Sequence, residues 1–293
     1  MFFGIDRPTI LAQRNGEVNK LSAIRNTYTA PELGIDKAGK DYVKYVENAL
    51  KARNPRDFGP TFKVDDAQDP YYNPTKAKVY MAKAQEELKL KDVKFPIELD
   101  IATDSAYTKG MKMDQSLKYG LESLFGVGVL KVNVVEMDSD NYDASTYYAE
   151  TGAQSNYDIG NSTGWGPDYG DPYTFLQTFE PLVGALLPLI GIDPVDEGSD
   201  KASATAVGLY DYGKKVKAGN AEYKDVARRF RLFAEAEAQI LDDALVLPYM
   251  SFGGAFWVSK VVPYTAPRAG IQIQRCRDWR ERREPRGTRK GQG

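Results

Sequence analysis

Two carboxylates three residues apart, Asp168 and Asp171, stand in the stretch Gly164-Trp165-Gly166-Pro167-Asp168-Tyr169-Gly170-Asp171-Pro172, beside the rings of Trp165 and Tyr169. Three glycines and two prolines in nine residues exclude regular helix or strand, so these side chains are carried on a loop. Two kinds of chemistry suit the set. An aromatic platform beside an unpaired carboxylate takes a cationic or amine-bearing ligand. A pair of carboxylates about 5 to 9 Å apart can serve as acid and base in a hydrolase. Asp171 has a further role open to it, capping the short helix that begins at Pro172. The bland reading is a surface turn with one ring tucked into the core.

Composition removes other chemistries. The 293 residues include no histidine, which excludes Ser-His-Asp and Cys-His nucleophiles and the usual zinc sites. The single cysteine, Cys276, has no partner for a disulfide or a metal cluster. No catalytic residue, metal or cofactor is assigned. Net charge is −2, and no run of apolar residues is long enough to span a membrane. The start, Met1-Phe2-Phe3-Gly4-Ile5-Asp6-Arg7, meets charge too early for a signal peptide. The last 26 residues, Arg268 to Gly293, hold nine Lys/Arg against three Asp/Glu, whereas the remainder is acidic and prefers lysine. One reading is a disordered basic tail able to touch nucleic acid; the sharper one is a shifted reading frame.

The elements that must position the loop read as an α/β pattern. Pro96–Ala102 alternates as a strand, Ser105–Phe125 is an amphipathic helix ended by Gly126, Val129–Val135 is a second strand, Asn141–Ala149 a helix and Tyr157–Ile159 a third strand. This order implies parallel pairing through helical crossovers, with the Trp165 loop just past the carboxyl end of a strand, where open α/β sheets place ligands. Upstream, Phe3–Leu11 reads as the end of a helix, Ile24–Pro31 as a loop and Lys37–Lys51 as a helix. Asn73 caps a helix with Pro74 at its first position. Downstream, Leu186 to Ile190 looks exposed, Ala202–Ala218 and Ala221–Asp243 read as helices, and Leu245–Met250 and Phe256–Val262 as strands.

Trp165, Asp168, Tyr169, Pro172, Phe175 and Leu176 match a Trp-x-x-Asp-Tyr-x-x-Pro loop followed by Phe-Leu. Tyr72-Asn73-Pro74-Thr75-Lys76-Ala77-Lys78, the Phe-x-Ile-Asp-Arg start and the pattern Arg229 … Ala236-Glu237 … Leu247-Pro248 lie in matching order around it. Together they resemble the oligopeptide-binding proteins of ABC importers, solute-binding family 5, in particular the streptococcal AmiA/AliB type, over about residues 2 to 267. The resemblance implies a periplasmic-binding-protein-like type II lobe, α/β, with a mostly parallel sheet and flanking helices, incomplete because the first lobe is missing. Residues 1–95 would be its helical and irregular part, 96–200 the ligand-binding α/β lobe, 201–267 the C-terminal helices and crossover strands, and 268–293 a non-native or disordered tail.

The implied function is capture of extended oligopeptides, by backbone and α-amino group, for the membrane permease subunits of an importer, with no nucleic-acid partner and no membrane span. Trp165, Asp168, Tyr169 and Asp171 are the implied ligand-binding residues. Asp168 would pair with the peptide's α-amine, an interaction of about 1.5 to 3 kcal/mol, while Trp165 and Tyr169 wall a side-chain pocket. Family members are lipid-anchored outside the cytoplasm, whereas this chain shows neither signal peptide nor lipobox. A lobe alone is expected to hold peptides at millimolar strength or weaker. The alternatives are the Asp168/Asp171 hydrolase, a relative that binds nickel chelates, haem or sugars, and a remnant that folds but binds nothing.

Overall fold

In the computed structural model, residues 1–251 are described except 65–67, 161–163 and 194–198. The expected strand Phe256–Val262 and the basic tail 268–293 lie outside the described residues. The parallel α/β unit is present. Strand β1 (Ile97–Asp104) pairs in parallel with β2 (Leu130–Met137), from Ile97 opposite Leu130 to Asp104 opposite Met137. Two more helices lie before the strands, α1 (Arg7–Asn15) and α2 (Tyr42–Arg53), followed by α3 (Pro74–Lys89). The crossover between the strands is α4 (Thr108–Phe125). Its buried Met113, Leu117 and Leu121 recur every four residues, one stripe laid on the sheet. Gly126 ends it with φ +85°, a conformation that side chains with a Cβ rarely adopt.

From β2 the chain turns through α5 (Ser139–Ser145), capped by Asp138, whose carboxylate accepts from the Asn141 amide at 3.0 Å. It then returns to the free edge of β1, so β1 is central. The expected third strand is a single parallel bridge, Ile101 to Ile159. The reason is local. The Asp158 and Ile159 amides both donate to the Asp100 carbonyl, at 2.9 and 3.0 Å, and the Asp158 carboxylate takes the Asp100 amide at 2.8 Å. A side chain thus occupies a donor that a longer ladder would need.

The expected helix remnant at Phe3–Leu11 is instead a 3-10 turn, Phe2–Gly4, followed by a fresh helix. Asp6 starts α1 by accepting from the Thr9 amide at 3.1 Å. Helix α1 packs on α4, and Ile10 and Leu11 join Ile101, Leu117, Leu130 and Val132 in one core. Arg7, fully buried, is the clamp of this region. It is ion-paired to Asp69 and donates to Arg25 O and Asn26 Oδ1, both at 2.7 Å, and to Pro248 O, with its guanidinium 5.0 Å from the centre of the Tyr71 ring.

The second, larger core is helical. Helix α2 and the helix α8 (Leu209–Ala221) pack on α9 (Val226–Asp242). Phe230, Phe233, Ala234, Ile240 and Leu241 are buried on α9. A Cβ at Gly219 would lie 2.6 Å from the Phe233 ring, so glycine is what lets α8 approach α9 closely. The expected helix Ala202–Ala218 is two helices, α7 (Ser199–Ala206) and α8, divided at Gly208 with φ +74°. Helix α9 begins at its Asp225 cap rather than at Ala221. Helix α2 begins at Asp41 rather than Lys37, because Asp36 closes a turn by accepting from the Ala38 and Lys40 amides at 2.8 Å. Asn73 caps α3 as expected, accepting from the Lys76 amide at 2.9 Å.

Two further sequence expectations fail. Leu186 and Leu187, which look exposed, are in the larger core. Leu245–Met250 is no strand. Only Met250 forms a bridge, with Ile24, while Pro248 lacks an N–H and gives its carbonyl to Arg7. No helix among the described residues is long and apolar enough to cross a membrane.

Candidate functional site

The loop from Gly164 to Pro172 is anchored most firmly at its downstream end. The chain enters α6 (Tyr173–Leu176), whose Phe175 and Leu176 are buried, Leu176 in the larger core. Asp171 starts this turn: its Oδ1 accepts from the Tyr173 amide at 2.9 Å. Thr174, fully buried, accepts from the Asp168 amide at 3.1 Å through its hydroxyl oxygen. The backbone at Asp168 is therefore tied to a core residue.

Asp171 is also held from α9. Arg229 donates to it through Nε at 3.1 Å and through Nη2 at 2.8 Å, a two-point ion pair that is partly buried on both sides. The same guanidinium donates through Nη1 to the carbonyls of Gly219, Asn220 and Glu222, at 2.8, 3.1 and 3.0 Å. One side chain thus caps the end of α8, lies 4.7 Å over the Phe233 ring and fixes the loop.

The four expected site residues fall into three environments. Asp168 is exposed, and its carboxylate has no hydrogen bond or ion pair among the described residues. Tyr169 is half exposed, its hydroxyl pushed above the usual phenol range by partial burial and then by the charge of Asp171. Asp171 has both oxygens engaged by Arg229 and the Tyr173 amide. Trp165 is partly buried against the larger core, with its indole N–H shielded from water and without an acceptor among the described residues. Trp165 lines a cavity of about 210 Å³ with Thr146, Tyr147, Ala185, Leu186 and Leu189. Tyr169 is not part of that lining. The residues that join Trp165 there come from the turn after α5 and from 185–189, both missed by sequence reasoning.

A model of the family described as bacterial extracellular solute-binding proteins, family 5 Middle, matches residues 32–182. The chain belongs to this family. It is 35% identical over 271 residues to the oligopeptide-binding protein AliA of Streptococcus pneumoniae, a match covering 91% of the chain and 40% of AliA. It is 36% identical over 270 residues to the oligopeptide-binding protein SarA of Streptococcus gordonii, covering 91% and 39%. The chain spans about two-fifths of the length of these relatives. Among solved structures, a peptide-binding protein of a peptide ABC transporter superposes with a TM-score of 0.55 at 21% identity, covering 85% of the chain and 87% of that structure. The substrate-binding domain of an oligopeptide ABC transporter from Bacillus anthracis gives 0.57 at 18% identity, covering 85% and 38%. At these identities the likeness is one of fold: α/β, with a parallel sheet and flanking helices.

In this family-5 chain the residue that sequence reasoning undervalued is Arg229. It was noted only within a pattern on the last helix, yet it organises the loop from 58 residues away. No spacing rule reports a contact of that range.

Proposed function

We propose that the chain forms part of an extracytoplasmic, surface-anchored solute-binding subunit that captures oligopeptides for the permease subunits of an ABC importer. Family membership and the two relatives named as oligopeptide-binding support this reading. In it, the α-amino group of an extended peptide pairs with Asp168, and Trp165 and Tyr169 flank the first residues. Main-chain hydrogen bonds supply the rest of the affinity with little demand on sequence. Asp171 serves the ligand through the loop, since Arg229 and the Tyr173 amide already take its oxygens.

The observation that carries the reading is the contrast between the two carboxylates. Asp171 is neutralised by a cation, whereas Asp168 carries an unpartnered charge on backbone that is tied down by Thr174. Backbone held in place beforehand leaves only the short Asp168 side chain to be ordered when a partner arrives. The same contrast argues against the hydrolase, which needs both carboxylates free to exchange protons. The test is a nuclear magnetic resonance titration of the chain with a pool of short peptides, free or N-acetylated at the amino end. The Asp168 amide is expected to shift with the free pool and to stay unmoved with the acetylated one. Equal responses would remove Asp168 as the amine partner.

A further inference from the structure

Residues 26–29, ahead of the 3-10 turn Pro31–Leu33, form neither helix nor strand, yet Asn26, Thr27 and Thr29 are buried and Tyr28 packs on the larger core. Asn26 is held from upstream elements: its Oδ1 accepts from Arg7 at 2.7 Å and its carbonyl from the Tyr71 hydroxyl at 2.6 Å. The residues after it depend on one side chain of α9. The Tyr28 and Thr29 amides have no main-chain acceptor among the described residues, and both donate to Oε1 of Glu237, at 2.7 and 3.2 Å. Oε2 accepts from the Tyr42 hydroxyl of α2 at 3.0 Å. Buried amides must find a partner, so this one carboxyl holds the segment in the core. It is fully buried and makes no ion pair among the described residues.

The titratable groups around it are Tyr28 on the segment, Tyr42 on α2, Tyr212 on α8 and Glu180 after α6. Burial pushes the three phenols above their usual range, and Lys217 pairs with Glu180 at 3.0 Å. Glu237 is the group in this cluster that changes charge near neutral pH, since burial pushes it up to about 7. Ionised in place it is a buried charge without a cation, and water relieves that charge once the segment lifts. The segment also touches the loop's anchor. The Thr178 hydroxyl donates to Phe175 O at 2.6 Å, so it accepts from the Tyr28 hydroxyl at 2.7 Å, and the Tyr28 and Phe175 rings meet edge to face with centres 6.0 Å apart. Phe175 adjoins Thr174, which holds the Asp168 amide. We propose that Glu237 and residues 27–29 form a proton-controlled latch beneath the Asp168 loop, shut while Glu237 is protonated and released when it ionises, with Tyr28 carrying the change to α6. The latch belongs to the fold and holds whatever the loop binds.

Once the segment lifts, Glu237 returns to an ordinary carboxyl near 4.5, so release grows with pH from about 4.5 and levels off above about 7. The experiment is amide hydrogen exchange of the full chain, resolved by nuclear magnetic resonance at pH 5 and pH 7, each rate divided by the intrinsic chemical rate. In wild type, opening at the Tyr28 and Thr29 amides should rise roughly thirtyfold between the two, while the amides of β1 keep their protection. The Asp168 amide resonance should move with a midpoint near 7. Glu237→Gln keeps an acceptor for both amides and cannot ionise, so opening should be equal at the two pH values and the Asp168 midpoint should vanish. Where that variant fails to fold, Tyr42→Phe removes one donor to the carboxyl and should carry the midpoint to higher pH; a midpoint that stays put counts against the latch. Opening independent of pH in wild type, or equally dependent on it in the glutamine variant, overturns the proposal. So does equal acceleration at β1, which would report unfolding of the whole chain. Tyr28 and Thr29 amides that respond while Asp168 stays unmoved overturn the reach to the loop.

Discussion

Replacing Arg229 by methionine keeps most of the side-chain volume over Phe233 and removes five hydrogen-bond donations at once. Two go to Asp171 and three to the carbonyls of Gly219, Asn220 and Glu222. Breaking a fully buried pair costs about 3 to 5 kcal/mol, because the surviving partner stays buried and charged. Here the two side chains are 16% and 25% exposed, so water recovers part of the loss. The expected destabilisation is about 2 to 3 kcal/mol, a fall in Tm of about 6 °C for a chain of this size. Asp171→Asn should cost less, since the amide oxygen can still accept from the Tyr173 amide. The decisive assay is a double-mutant cycle in urea denaturation. If the pair organises the loop, the coupling between Arg229→Met and Asp171→Asn should be about 1 to 2 kcal/mol. Additive single effects, within about 0.5 kcal/mol, would refute the claim that Arg229 acts through Asp171.

Two further outcomes follow from the buried charges. Glu237 is fully buried, with its carboxyl pushed up to about 7 by burial against the opposing hydrogen bonds from Thr29, Tyr42 and Tyr28. The folded state therefore holds this proton more tightly than the unfolded chain. Its stabilising contribution is complete below pH about 4.5 and is lost as pH rises through about 7, by about 3 kcal/mol in all. The stability difference between wild type and Glu237→Gln, measured by denaturant titration from pH 4 to 8, should slope in that sense; a pH-independent difference contradicts it. Arg7→Met should cost about 3 to 5 kcal/mol, because Asp69 and Asn26 lose a buried partner. A urea midpoint like that of wild type would show that the Arg7 clamp contributes nothing.

The parallel unit was legible because its signals are local. Alternation in β1 and β2, the four-residue stripe on α4 and the glycine after it each act within one element. The Asn73 cap is equally local. Helix starts at Asp6, Asp41 and Asp225 were misjudged because each aspartate was read as one more helical residue rather than as a cap accepting a backbone amide two or three residues on. Gly208 was lost inside a helical pattern for want of any marker of its positive φ. What the sequence could not carry was long-range pairing. Nothing near Arg7 in sequence announces that Asp69 and Pro248 surround it, and Leu187 reads as exposed although the larger core buries it. At the candidate site, Asp168 and Trp165 were legible from their residue types on a glycine-rich loop. The Thr146–Leu186–Leu189 wall was not, because two separate segments meet the Trp165 loop there only in the fold.

The most direct test of the central claim is the affinity of Asp168→Asn for free-amino peptides, measured in an intact homologue restored around this lobe. Removing the charge should weaken binding roughly 10- to 100-fold, from the loss of about 1.5 to 3 kcal/mol of a charge-assisted pair. N-acetylated peptides should bind wild type and variant weakly and equally. Wild type that holds acetylated and free peptides with the same affinity would contradict the account.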